Sequence, residues 1–113
     1  MSTKVNYAHN QQLSTTASDI IAAVPSGTIS TPSVLSFYNT NASARRFVTV
    51  YIVEDGGDAD TGTIKDSESI PAGGIWYPFA IINENFTAGM RLMADQDSGT
   101  DVNVNCSGLD DSV

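Results

Sequence analysis

Residues 47–53 read Phe47-Val48-Thr49-Val50-Tyr51-Ile52-Val53, an almost unbroken run of β-branched and aromatic side chains. It stops at Glu54-Asp55-Gly56-Gly57-Asp58-Ala59-Asp60, an acidic turn with a glycine pair. Strand formers without a helical period, ended by Gly-Gly, predict a buried β-strand followed by a solvent-facing tip. A chain built on such a strand needs partners of the same kind. The flanking segments supply them at short spacing.

Ser18–Val24 reads either as one or two helical turns capped by Ser18 or as a short first strand ending at Pro25-Ser26-Gly27, and the β-rich remainder and short length favour the strand. Ser33–Asn39 alternates and predicts a second. The turn Asn39–Ala44 then leads through Arg45-Arg46 into the 47–53 run, as in an antiparallel hairpin. Thr63–Ile70 is a weaker strand anchored by Ile64 and Ile70. Ile75–Ile82 carries Pro78, which lacks a ladder donor, so that segment is expected at an edge or bulged. Met90–Ala94 and Asp101–Ser107 complete the series, the last with Val102, Val104 and Cys106 on one face. The expected fold is all-β: an antiparallel sandwich, immunoglobulin-like or jelly-roll-like, of six to eight short strands.

At 113 residues this is one domain. Residues 1–17 are polar and nearly patternless, and read as an extended N-terminal arm. Residues 18–109 form the sandwich, and 110–113 an acidic C-terminal tail. Within the arm, Lys4, Val5, Tyr7 and Leu13 are the residues expected to contact a partner.

The formal charge is −8 and unevenly spread. Twelve of thirteen carboxylates follow residue 53. A field of that sign repels phosphates, so neither direct nucleic-acid binding nor attraction to an anionic membrane surface is expected. No apolar stretch is long enough to span a bilayer, and the polar start has no signal-peptide core. A single cysteine, Cys106, permits no intrachain disulfide and fits a reducing cytoplasm as the place of synthesis.

No catalytic signature emerges. The one imidazole, His9, lies in the arm, and Cys106 sits among valines where a small core residue belongs. Asp66 and Glu68 share a strand face, the minimum for paired-carboxylate chemistry, but lack an aromatic sugar platform. Asp55, Asp58 and Asp60 among glycines loosely resemble a calcium loop without its spacing or its closing Glu. A weak cation site is the sharper reading there, and a turn built from Asp and Gly the plainer one. No phosphate-cradling loop or zinc spacing is present, so no cofactor is expected and no enzyme is read. Trp76-Tyr77 beside Phe79 is either an exposed aromatic shelf, as in a carbohydrate-binding module, or a core Trp with neighbours.

The order of elements resembles small virion proteins of tailed bacteriophages. The resemblance rests on Asn39-Thr40-Asn41-Ala42-Ser43-Ala44, on Arg46-Phe47-Val48-Thr49-Val50-Tyr51-Ile52-Val53 with its Gly-Gly turn, and on Ile70-Pro71-Ala72-Gly73-Gly74. It continues through Thr87-Ala88-Gly89-Met90-Arg91-Leu92 and Val102-Asn103-Val104-Asn105-Cys106-Ser107-Gly108, spanning roughly 33–109. It departs in Trp76-Tyr77-Pro78 and in the heavily acidic loops. The resemblance implies a capsid decoration or cement protein, with a head–tail connector or a tail subunit as alternatives, while Trp76-Tyr77 beside Phe79 keeps a tail-fibre carbohydrate module open as another. It implies the major capsid protein or neighbouring virion subunits as partners, a homo-oligomer on the particle, and residence in the virion after synthesis in the host bacterium.

Overall fold

The computed structural model describes residues 2–113. They form eight strands and no helix: β1 Ser2–Gln12, β2 Ser18–Ile21, β3 Thr28–Asn39, β4 Arg46–Val53, β5 Ile64–Ile70, β6 Ile75–Trp76, β7 Arg91–Gln96 and β8 Val102–Ser112. The strands make two four-stranded antiparallel sheets. The first has the order β1-β8-β3-β6, the second β2-β7-β4-β5. The expected all-β sandwich is what the chain forms.

Period-two alternation places one row of each strand between the sheets. Leu35 and Phe37 of β3 and Val102, Val104 and Cys106 of β8 face inward from the first sheet, all buried. Val48 and Val50 of β4 and Leu92 and Ala94 of β7 meet them from the second. Each fully buried large side chain contributes about 1.5–3 kcal/mol. The 47–53 run is a centre strand, flanked by β5 and β7. Beyond the shorter second sheet, the 77–90 connection closes the core with Ile81 and Phe86, and Ser30 and Phe86 exchange backbone hydrogen bonds of 2.9 and 2.8 Å.

Four sequence expectations change. Residues 2–12 are not a free arm: β1 pairs with β8 from Ser2↔Asp111 to Gln12↔Asn103, with two register shifts. An edge strand draws its stability from ladder hydrogen bonds, so its side chains need no apolar alternation. Leu13, expected at a partner, is fully buried in the core, and its amide donates to the Val102 carbonyl.

β3 and β4 form no hairpin, because they belong to different sheets. The chain crosses at Asn39, whose buried Nδ2 donates to the carbonyls of Ala44, Ile70 and Pro71 at 2.8, 3.1 and 3.3 Å. Its Oδ1 accepts from the Asn41 amide at 3.0 Å. A side chain that binds three carbonyls on the far side of the corner turns the backbone out of its own sheet.

The expected 75–82 strand shrinks to Ile75–Trp76, an edge strand that ends just before Pro78, where the ladder has no donor. The acidic tail is also absent as such. β8 runs through Asp110 and Asp111 to Ser112, held by β1 on one side and β3 on the other.

Candidate interaction surfaces

Apart from His9, the residues weighed for catalysis are occupied otherwise. Cys106 is buried against the second sheet, and burial pushes its thiol up to about 12. His9 is exposed on β1. Asp66 and Glu68 accept hydrogen bonds from the next backbone amides, Ser67 at 2.8 Å and Ser69 at 3.0 Å. In the acidic turn, Asp60 Oδ1 accepts from the Gly62 amide, and the Thr63 hydroxyl donates to the Asp58 carbonyl. The turn thus closes on itself. Asp55, Asp58 and Asp60 do not converge, and among the described residues no three His, Cys, Asp or Glu side chains are placed to hold a metal ion.

What the fold does organise is charge. The runs Ile20–Ala44, Ser69–Asn83 and Val102–Leu109 contain no charged residue. They supply nearly all of β3, β6 and β8, so the first sheet carries only two of the thirteen carboxylates, Asp110 and Asp111. The other eleven lie on the second sheet or in loops. The first sheet therefore holds few charges, the second offsets four carboxylates with Arg46, Lys65 and Arg91, and the acidic excess sits in the loops, which carry the remaining seven carboxylates. The signal was open to view in the sequence, but it has meaning only once the three neutral runs are known to lie side by side.

The neutral sheet has two unlike edges. At one, β1 has β8 on one side and no strand on the other. Its inner side is anchored by a small polar cluster. The Tyr7 hydroxyl donates to Asp110 Oδ1 at 2.7 Å and to the Leu109 carbonyl at 3.1 Å. The Ser30 hydroxyl donates to the same carboxylate at 2.7 Å. Burial, then the bond to Asp110, raises the Tyr7 hydroxyl well above its ordinary range, so it stays a donor. Ser2 donates to Asp111 next to it. Tyr7 is thus a fastener within the fold.

Lys4 and Val5 are different. They border an open cleft of 540 Å³ with Asn6, Ser33 and Leu109. Arg46 pairs with Asp101 at 2.6 Å, Lys65 with Glu84 and Arg91 with Asp19, while Arg45 donates to Ser69. Among the described residues, Lys4 alone of the five Lys and Arg side chains has neither hydrogen bond nor ion pair. An unpaired cation on an open, carboxylate-free strand is the one attractive spot for an anionic group on an acidic molecule.

At the opposite edge, the residues about β6 are apolar. Trp76 turns inward and stacks on Phe37, ring centroids 5.4 Å apart at 27°. Tyr77 and Phe79 point out, 52% and 81% exposed. Val34, Tyr77 and Phe79 line one hollow of 280 Å³ with Ile82, and Tyr38 lies opposite Ile75 across the β3–β6 pair. Of the two readings of this stretch, the core Trp is the one observed, and an exposed apolar surface remains at Tyr77 and Phe79. Val34, Tyr38 and Ile75, not singled out from sequence, complete it.

No family model matches the chain, and no curated protein matches it. Solved structures from infectious bursal disease virus do. That of the Gx strain is 14% identical over 97% of this chain and 31% of its own, with a TM-score of 0.47. The T13 viral particle gives 14%, 97%, 30% and 0.48, and the VP2 subviral particle 12%, 97%, 32% and 0.41. The chain spans about a third of the length of those it matches. Likeness at that level carries no functional information.

Proposed function

We propose that this chain is a non-enzymatic structural protein of a bacteriophage virion, a decoration or cement subunit that attaches to the major capsid lattice through its open β1 edge. The observation that carries the reading is that edge: eleven residues with one side unpaired and with Lys4 free, on a molecule whose other cations are engaged. Backbone groups on an unpaired edge pair readily with an extended segment of a neighbour. Lys4 favours a neighbour with a carboxylate at that point, and many copies on a lattice make weak single contacts sufficient. The resemblance of residues 33–109 to phage virion proteins supports the same reading. So does the engagement of Cys106 in packing and of Asp66, Glu68 and Asp60 in local hydrogen bonds. The acidic loops, among them Glu54–Asp60, then face solvent and keep decorated particles apart.

The test mixes purified chain with particles of the same virus assembled without it, followed by co-sedimentation and negative-stain imaging. Bound copies at lattice axes, weakened by Lys4→Glu and by added salt, are expected. Absence of binding, or isolated rings of six or twelve, which are the mark of a connector, would overturn the decoration role.

A further inference from the structure

The patch about β6 lies at the opposite edge of the sheet from β1 and is free of the attachment role. Val34, Tyr38, Ile75 and Tyr77 are each 42–53% exposed and Phe79 is 81% exposed. Together they leave on the order of 500 Å² of mostly apolar surface in water, near the upper end for a monomer. We propose that this patch is a homotypic contact, packing face to face against the same patch of a second copy in a two-fold dimer.

Charge selects the occupant. The chain carries −8, so two copies repel wherever carboxylates meet. The patch is drawn wholly from Ile20–Ala44 and Ser69–Asn83, which hold no charged residue of either sign. A charged partner finds no complement there. A neutral apolar surface does, and this chain's own patch is one. Geometry sets the manner of contact. β6 is two residues long and ends just before Pro78, so the edge offers no ladder for strand addition and the approach is through side chains. In a two-fold contact each residue meets its counterpart's neighbour reciprocally. Phe79, the most exposed aromatic, stands at the rim of the hollow lined by Val34, Leu35, Tyr77 and Ile82, and the symmetry places each copy's Phe79 in the other's hollow. With a rim of Ser33, Ser36 and Asn83, about 600 Å² per copy is within reach, the lower end of a standard interface.

The experiment is sedimentation velocity of the full chain, from sub-micromolar to several hundred micromolar, with circular dichroism to verify the fold. A species of twice 11.9 kDa is expected. Phe79→Asp puts two like charges at the contact and weakens dimerisation at least ~30-fold, the threshold of an interface hot spot. Tyr77→Glu acts likewise. Phe47→Asp, at an exposed aromatic residue on the second sheet, leaves the dimer intact. A monomer at all concentrations, a larger closed species, or a dimer indifferent to Phe79→Asp overturns the contact. Co-sedimentation with capsids separates this from attachment: a Phe79→Asp monomer that still binds particles leaves attachment standing, whereas a dimer that binds none refutes attachment alone.

Discussion

Asn39→Ala tests how the chain passes from one sheet to the other. The Asn39 amide is fully buried and reaches Ala44 O at 2.8 Å, Ile70 O at 3.1 Å and Pro71 O at 3.3 Å. Its backbone is tied to the 71–74 turn as well: Asn39 N donates to Gly74 O and Gly73 N to Asn39 O, both at 3.0 Å. Truncation leaves the backbone bonds and removes the side-chain ones. The Ile70 carbonyl then loses a partner in a buried setting, and the other two lose theirs in part. A stranded buried polar group costs about 1–3 kcal/mol, so the substitution costs about 2–4 kcal/mol in all. That is a large share of the ~5–15 kcal/mol available to a domain. In urea unfolding the midpoint falls while the slope stays constant, and the melting temperature drops by about 10–15 °C. Asn39→Asp sharpens the test. One carboxylate oxygen would keep the Asn41 amide, but the other would face three carbonyl oxygens in a fully buried site, so its folded pKa lies above the unfolded ~3.9. The penalty is therefore small at pH values below ~4 and grows as the pH rises. Asn39→Ala within ~0.5 kcal/mol of the parent, or an Asn39→Asp deficit that does not change with pH, would refute the account of the corner.

Three further outcomes follow from the packing. Gly108→Ala destabilises by about 1–3 kcal/mol by urea unfolding, because the added Cβ would lie 2.1 Å from the Thr31 carbonyl oxygen and 2.8 Å from Pro32 Cα, both backbone; an unchanged midpoint would show that β3 and β8 part freely there. Cys106, with its thiol raised to about 12 by burial, resists a thiol reagent at pH 8 until the protein unfolds, and its stabilising contribution is complete below the unfolded ~8.5 and lost as the pH climbs through 12. Fast labelling of the native chain would contradict that. The Asp101 carboxyl is held below the usual carboxylate range by hydrogen bonds from Asn41 and then Arg46, so its contribution is complete above ~3.9 and fades as the pH falls through its lower folded value. Asp101→Asn should flatten the acid side of the stability profile, and an identical profile would remove Asp101 from the account.

The sandwich was legible because its core strands alternate: Val48 and Val50, Leu35 and Phe37, Val102 through Cys106 all point inward as their spacing demands. Pro78 likewise foretold an edge. β1 was not legible, since an edge strand exposed on most of its length needs no apolar row, and Ser2–Gln12 has none. The end of β8 was hidden for a related reason. Asp110 and Asp111 look like a solvated tail until the hydroxyls of Tyr7, Ser30 and Ser2 are seen to be held by them. The crossing at Asn39 reads as a hairpin turn in one dimension, because nothing local records that its amide binds residues 70 and 71. The neutral sheet is the reverse case. Its three uncharged runs are plain in the sequence, but only the strand order β8-β3-β6 makes them one surface.

The central claim, that β1 is the attachment edge, is tested most directly by hydrogen exchange of the chain free and bound to its particle. Residues 2–9 should exchange their outward amides quickly when free and become protected when bound, while the acidic loop at 54–63 stays unchanged. Protection confined to that loop, with β1 as exposed on the particle as off it, would contradict the account.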